Sequence, residues 1–369
     1  LGEDYDQLLF HMYNTVLKGV ETPRPRVERA VDATNSALGE ALGRAYVRRY
    51  FPPEMKANVT EMVELIRAEL IDRIECLSWM TPETKARAQE KVNKMTLQIG
   101  YPEDGGWIDY SSLDLKPDDV LAAHQMRINM FDVQRDLDRV GQPVNRDEWY
   151  WPPQTVNACN IPNMNQINFP AGILQHPVLT SEEAINWGAF GMIIAHEIIH
   201  SFDDEGRKFD AEGNVRDWWM PEDGQRFEAH ADILRRQFDS YSVQFSDGEE
   251  AFVNGAMCLG ENIADLGGLI VSHSAFMRSL EGKEQETIDG FTPEQRFFLG
   301  YAQVWHYIAT DDAARLRIAT DPHSPPLWRV NGALSQIPAF RKAFGVAKDC
   351  PMWIKDELQS QMWLKDDEL

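Results

Sequence analysis

Apolar residues recur three and four positions apart through most of the first 145 residues, a period that predicts helices. In "VERAVDATNSALGEALGRAYVRRYF" the pattern runs until Pro52-Pro53 interrupts it. In "EMKANVTEMVELIRAELIDRIECLSWM", Val59, Met62, Val63, Ile66, Leu70 and Ile74 line one face. Thr81-Pro82-Glu83 reads as the start of another helix, with a capping hydroxyl, a proline in the first turn and an acid near the positive helix end. The turn-rich "YPEDGGWIDYSSLDLKPDD" then leads into one more helix, ending about residue 138. Residues 1–147 are therefore expected to form a helical lobe.

The pattern changes near Asp147. "TVNACN" and "QINFPAG" are short β-leaning segments bounded by Pro and Asn, so a small sheet is expected there. Helices are expected again over about 181–203, 222–243, 256–275 and 293–316, the last opened by Thr292 and Pro293. The predicted class is mainly α with a small β-sheet (α+β), and residues 148–369 form the second domain. No internal repeat is present; "MWIKDEL" and "MWLKDDEL" are copies too short to count as one.

Composition adds exclusions. With 43% hydrophobic residues the chain can bury a sizeable core, and 36 Lys+Arg against 59 Asp+Glu give a net charge of −23. That charge disfavours nucleic acid and anionic membrane as partners. No apolar stretch is long enough for a membrane span. The absence of an initiating Met and of a signal peptide at "LGEDYDQLLF" predicts a chain that begins after processing or partway through a longer protein. Cys76, Cys159, Cys258 and Cys350 are scattered without metal-binding spacing. They read as thiols in a soluble protein, which favours a cytoplasmic setting over a secreted or periplasmic one.

The chemistry concentrates in "AHEIIHSF". On a helix His196 and His200 share a face, so two imidazoles can meet one metal ion while Glu197 stands close enough to act as a base toward water. The flanks, including Phe190, Met192, Ile194, Ile198 and Ile199, are apolar nearly all round and predict a buried helix. Unpaired polar groups there would be costly, and a metal satisfies all three. Three hydrogen-bonded polar residues on one core helix are the plainer alternative. A third ligand is best sought in "LGENIADLGG". Glu261 and Asp265 again lie four apart, so Glu261 could bind the metal while Asp265 accepts the free N–H of a ligand histidine. Two acids on a solvated face are the alternative, against which the apolar flanks and Gly267-Gly268 argue.

"VNACN", "NQINFPAGILQ", "GMIIAHEIIHSFDDEGRKFDAEGNVRDWW", "LGENIADLGG", "FFLGYAQVW" and "TDPHSPPLWRVNG" occur in the order and spacing of the neprilysin-like zinc peptidases, the M13 family. The chain resembles the second half of that family's sequence, from about residue 26 to 353. The resemblance implies a thermolysin-like zincin catalytic domain over 148–369 beside part of a helical lobe. It implies one Zn2+ per chain on His196, His200 and Glu261, with Glu197 as general base and Asp265 as the histidine's partner. It assigns His323 to the oxyanion, Arg329 to a substrate carbonyl, and Asn157 and Ala158 to an edge that aligns the peptide as an added strand. Ile173, Val178, Ile193, Val304 and Trp305 fall where the family lines a pocket for a large apolar residue after the scissile bond.

The implied activity is zinc-dependent hydrolysis of short peptides by metal-activated water. Family members are much longer, so a second polypeptide supplying the missing half is one expectation. A catalytically silent peptide-binding or regulatory subunit of such a two-chain assembly is the alternative function. Cys159-Asn160 stands where the family has an aromatic pair, and the family's closing C-x-x-W is matched to Cys350–Trp353.

Overall fold

The computed structural model describes residues 2–368. Helix α1 spans Glu3–Phe10 and α2 spans Arg26–Tyr50, the latter kinked at Leu38. The kink brings Gly39 and Gly43 against Pro152 and Pro153, where a Cβ would sit 2.9 and 2.6 Å from the proline rings. Helix α3 (Pro53–Cys76) starts on its proline and buries Val59, Val63, Ile66, Leu70 and Ile74, the face expected from the sequence. Helix α4 spans Pro82–Lys94. Thr81 does not cap it: its hydroxyl donates to Asp223 Oδ2 at 2.5 Å, tying the start of α4 to a helix 140 residues downstream. The sequence signal for a cap was sound, but a buried carboxylate competed for the hydroxyl.

Strand β1 (Thr96–Gly100) was not foreseen within the helical lobe. Five residues carry little periodicity, and the partner lies far along the chain beyond helix α5 (Leu121–Asp138). Strand β2 is Cys159–Ile161 and β3 is Gln166–Pro170. The sheet order is β1-β3-β2, with β1 parallel to β3 (Leu97↔Ile167, Ile99↔Phe169) and β2 antiparallel to it (Asn160↔Ile167). All five residues of β3 are buried, and β2 is left as an open edge. The sheet thus joins residues from both sides of the expected 147/148 boundary, which itself lies in a loop.

The helix expected over 181–203 is assembled from α6 (Glu183–Asn186), a π-turn at Trp187–Gly191, α7 (Met192–Ile199) and a closing 3-10 turn through Phe202. Helix α8 (Pro221–Asp239) stops four residues before the expected end, because a hairpin of β4 (Ser242–Gln244) and β5 (Glu250–Phe252) follows. The signal was present in Asp247-Gly248, where the glycine has φ +87°. Helix α9 spans Leu259–Ser279 and α10 spans Pro293–Val304. Thr292 and Gln295 form a full capping box at α10. The run expected to 316 breaks at Trp305, since Thr310 caps a separate helix α11 (Asp311–Thr320) by accepting from Ala313 N. Helices α12 (Pro326–Gln336) and α13 (Pro338–Phe344) complete the set.

One apolar core runs from α3 and α4 through β3, α7, α9 and α10 to the C-terminal tail. The tryptophan that seals it is Trp363, 1% exposed, whereas Trp353 lies half-buried beneath Arg341 and Lys348. Fully buried Arg73 holds that tail by donating to Trp363 O at 2.8 Å and to both Glu368 carboxylate oxygens.

Close approach of backbones fixes how the π-turn packs on α10. A Cβ on Gly188 in the π-turn would lie 1.8 Å from Phe297 O of α10. Gly188→Ala must push these elements apart, and the expected loss is about 2–3 kcal/mol in chemical unfolding.

Candidate metal centre

Helices α7 and α9 pack so tightly that a Cβ on Gly268 would sit 2.9 Å from His196 N, and one on Gly267 2.9 Å from an Ile199 methyl. This contact brings the first turn of α9 beside the last turn of α7. Ligand atoms of His196, His200 and Glu261 consequently lie within 4.8 Å of one another. Glu261 Oε2 is 3.3 Å from His196 Nε2, and Oε1 is 3.6 Å from His200 Nε2.

Carboxylates hold the far side of both rings. His200 Nδ1 is 2.6 Å from Asp203 Oδ2, and His196 Nδ1 is 2.9 Å from Asp265 Oδ1, although the second contact is off the line of the ring N–H. A proton kept on His200 Nδ1 by Asp203, and one on His196 Nδ1 beside Asp265, would leave each Nε2 to present a lone pair to a metal. Those two nitrogens face each other at 2.9 Å, with the Glu261 carboxylate beside them. Three electron-pair donors aimed at one point repel unless a cation lies among them. Two imidazoles and one carboxylate form a donor set suited to zinc, so the residues present fit that metal.

The charges agree with the geometry. Burial opposes ionisation of Glu261 most, but His196 and His200 outweigh it and hold the carboxyl far below its usual range. Burial likewise opposes a proton on His200, yet Asp203 and Glu261 lift its pKa well above the ordinary value. The field that draws a proton to these nitrogens also draws a metal. Burial pushes the Glu197 carboxyl up. Asp265, 1% exposed, is also disfavoured as an anion by burial, but Arg329 and His196 together outweigh it and its pKa falls. Arg329 binds Asp265 through two contacts, Nε–Oδ2 at 2.7 Å and Nη2–Oδ1 at 2.6 Å, and lies 3.9 Å from the centre of the Trp305 ring.

The remaining expected residues fall as follows. His323 is 40% exposed at its side chain, with Nε2 3.2 Å from Glu261 Oε2 and Nδ1 2.7 Å from Asp321 Oδ1. Asn157 and Ala158 immediately precede the open edge strand β2, and Asn157 Oδ1 accepts from Ala158 N. Ile173, Val178, Ile193 and Trp305 belong to the main apolar cluster, whereas Val304 is half-buried outside it. A broad cleft of about 1560 Å3, lined by Glu40, Lys56, Trp107, Arg135 and Trp149 among others, touches none of these residues. Asp203 was not singled out from the sequence, and Asn160 was noted only for standing, with Cys159, where the family has an aromatic pair. The i, i+3 spacing of Asp203 from His200 was a signal for the first. Asn160 donates to Glu197 O at 2.7 Å and to Ser201 Oγ at 2.8 Å, pinning β2 to α7, and no local pattern marks it. Cys159 beside it is pushed up to about 12 by burial first and the Glu197 charge second, so its thiol stays protonated at neutral pH.

The sequence profile described as peptidase family M13 matches residues 157–359, and a second profile of that family matches 1–102. Human membrane metallo-endopeptidase-like 1 is 37% identical over 356 residues, 93% of this chain and 45% of that protein. Human endothelin-converting enzyme 1 is 36% identical over 346 residues, 90% of this chain and 44% of that protein. The chain spans about half the length of the curated relatives it matches. Among solved structures, the inhibitor complex of Mycobacterium tuberculosis zinc metalloprotease Zmp1 superimposes with TM-score 0.91 at 38% identity, over 98% of this chain and 55% of that one. PepO from Lactobacillus rhamnosis gives 0.87 at 31% identity, over 98% and 55%. Among the described residues no helix is long and apolar enough to cross a membrane.

Asp203→Asn keeps the shape at His200 but removes the charge behind its ring. Affinity for a divalent metal, measured by competition with a chelating dye, is expected to fall about 10–100-fold.

Proposed function

The chain belongs to peptidase family M13, and on that premise we propose that it hydrolyses peptide bonds in short peptides as a zinc enzyme. The observation that carries the reading is the convergence of His196, His200 and Glu261 from two helices, with both histidine Nδ1 atoms turned to carboxylates. Zinc bound by these three residues supplies Lewis acidity, bringing the pKa of a coordinated water to about 7.

The chain's own groups do the rest. Glu197, one residue from His196 and mostly buried, takes the proton as water attacks and returns it to the departing amine. His323, held by Asp321, donates from Nε2 to the oxygen on which negative charge grows. Asp265 fixes the His196 ring and anchors Arg329, whose guanidinium is thereby placed toward a substrate carbonyl. The outer edge of β2, with Asn157 and Ala158 before it, accepts the peptide as an additional strand. Ile173, Val178, Ile193 and Trp305, with Val304 at the margin, favour a large apolar side chain after the cleaved bond. The similarities give no sign of a separate partner chain, and the reading calls on none.

Two variants test it on a quenched peptide with a bulky apolar residue after the scissile bond. Glu197→Gln is expected to retain one zinc by elemental analysis and to lose kcat by about 10²–10⁴-fold. Unchanged turnover in that variant removes Glu197 from the chemistry, whereas no turnover by the zinc-loaded wild-type chain leaves the peptide-binding role. For His323→Ala the expected loss is about a hundredfold in kcat, with little change in KM.

A further inference from the structure

Lys91 has no part in the chemistry above, yet it is a fully buried cation on α4, aimed at the loop that follows the metal helix. Its Nζ donates to Ser201 O at 2.6 Å, Gly206 O at 2.8 Å and Phe209 O at 2.7 Å. An ammonium has three protons for these three acceptors; a neutral amine has two and would turn a lone pair on the third. Burial pulls the lysine's pKa down to about 7, with Asp203 and Asp210 resisting that fall. The rings of Phe202 and Trp218, 5.4 and 5.8 Å away, close the rest of the surroundings.

The loop thus gathered is short and closed on itself. It leaves His200 at Ser201 and returns at Gly206, where a Cβ would lie 1.7 Å from His200 O. Between them Asp203 uses Oδ1 to accept from Glu205 N at 2.9 Å and Gly206 N at 2.6 Å, and Oδ2 to hold His200 Nδ1. Asp203 can face His200 only while the loop keeps this turn, and Lys91 bonds both ends of it.

We propose that Lys91 is a positioning residue for the metal centre: by drawing together the carbonyls of Ser201, Gly206 and Phe209 it presets Asp203 and hence the His200 ring before metal arrives. The proposal rests on the zinc-peptidase reading. It differs from a purely structural role in that the effect reaches metal affinity, and reaches it through Asp203.

The test uses the whole chain, with zinc affinity from chelator competition and loop order from hydrogen exchange on metal-free protein. Lys91→Met is expected to weaken zinc binding at least about tenfold, with faster exchange at the Glu205 and Gly206 amides. In an Asp203→Ala background the same substitution is expected to change zinc affinity less than about twofold, because the path is already cut. A folded Lys91→Met protein with wild-type zinc affinity overturns the proposal, as does full additivity with Asp203→Ala. Should Lys91→Met fail to fold, wild-type protein decides: the two amides are expected to be as protected without zinc as with it, and free exchange in the metal-free form overturns presetting. Failure of the wild-type chain to bind zinc defeats the peptidase reading instead, and the exchange result in metal-free protein is read independently of it.

Discussion

Two imidazole nitrogens held 2.9 Å apart, each ring backed by a carboxylate beside its Nδ1, are the constraint around which this structure is arranged. Such an arrangement is satisfied only when a cation, a proton or a metal ion, lies between the nitrogens. The surrounding fold supplies the rigidity that keeps it. Helix α9 meets the α7 backbone through Gly268 and the Ile199 side chain through Gly267, so the ligand turns have little room to relax apart. A metal ion entering the site meets donors that the fold already holds together.

Part of this was legible in the sequence because it is local. The spacing His196-x-x-x-His200 and the spacing Glu261-x-x-x-Asp265 each define a face of one helix, and the paired glycines next to the second announce close packing. Neither spacing says that the two faces meet; the family resemblance supplied that, together with His323 and Arg329, whose surroundings in "TDPHSPPLWR" carry no period. Groups that act across long separations stayed hidden. Lys91 reads as one polar position on an amphipathic helix, and Asn160 as one residue of a three-residue strand.

The same division explains the fold. Helices α3, α8, α9 and the start of α10 were visible through period and capping, where each residue's preference is decided by near neighbours. Strand β1 was not, because its reason for being extended is β3, beyond α5 and the long loops around it. Thr81 shows the intermediate case: helix α4 begins where the sequence places it, but the hydroxyl serves Asp223 on a distant helix rather than its own first turn. Local rules located the element, and tertiary competition reassigned the side chain.

Strand β2 pairs over only three residues, from Cys159 to Ile161, so its open side offers about 10 Å of backbone to a visitor. Anything seated there must already be extended, with its amides unshared. A helix or a folded loop has spent those amides internally and must unravel before it can pair. On the proposed reading this edge would sort by conformational readiness before any side chain is read, and limp, unstructured segments would pass that screen at least cost.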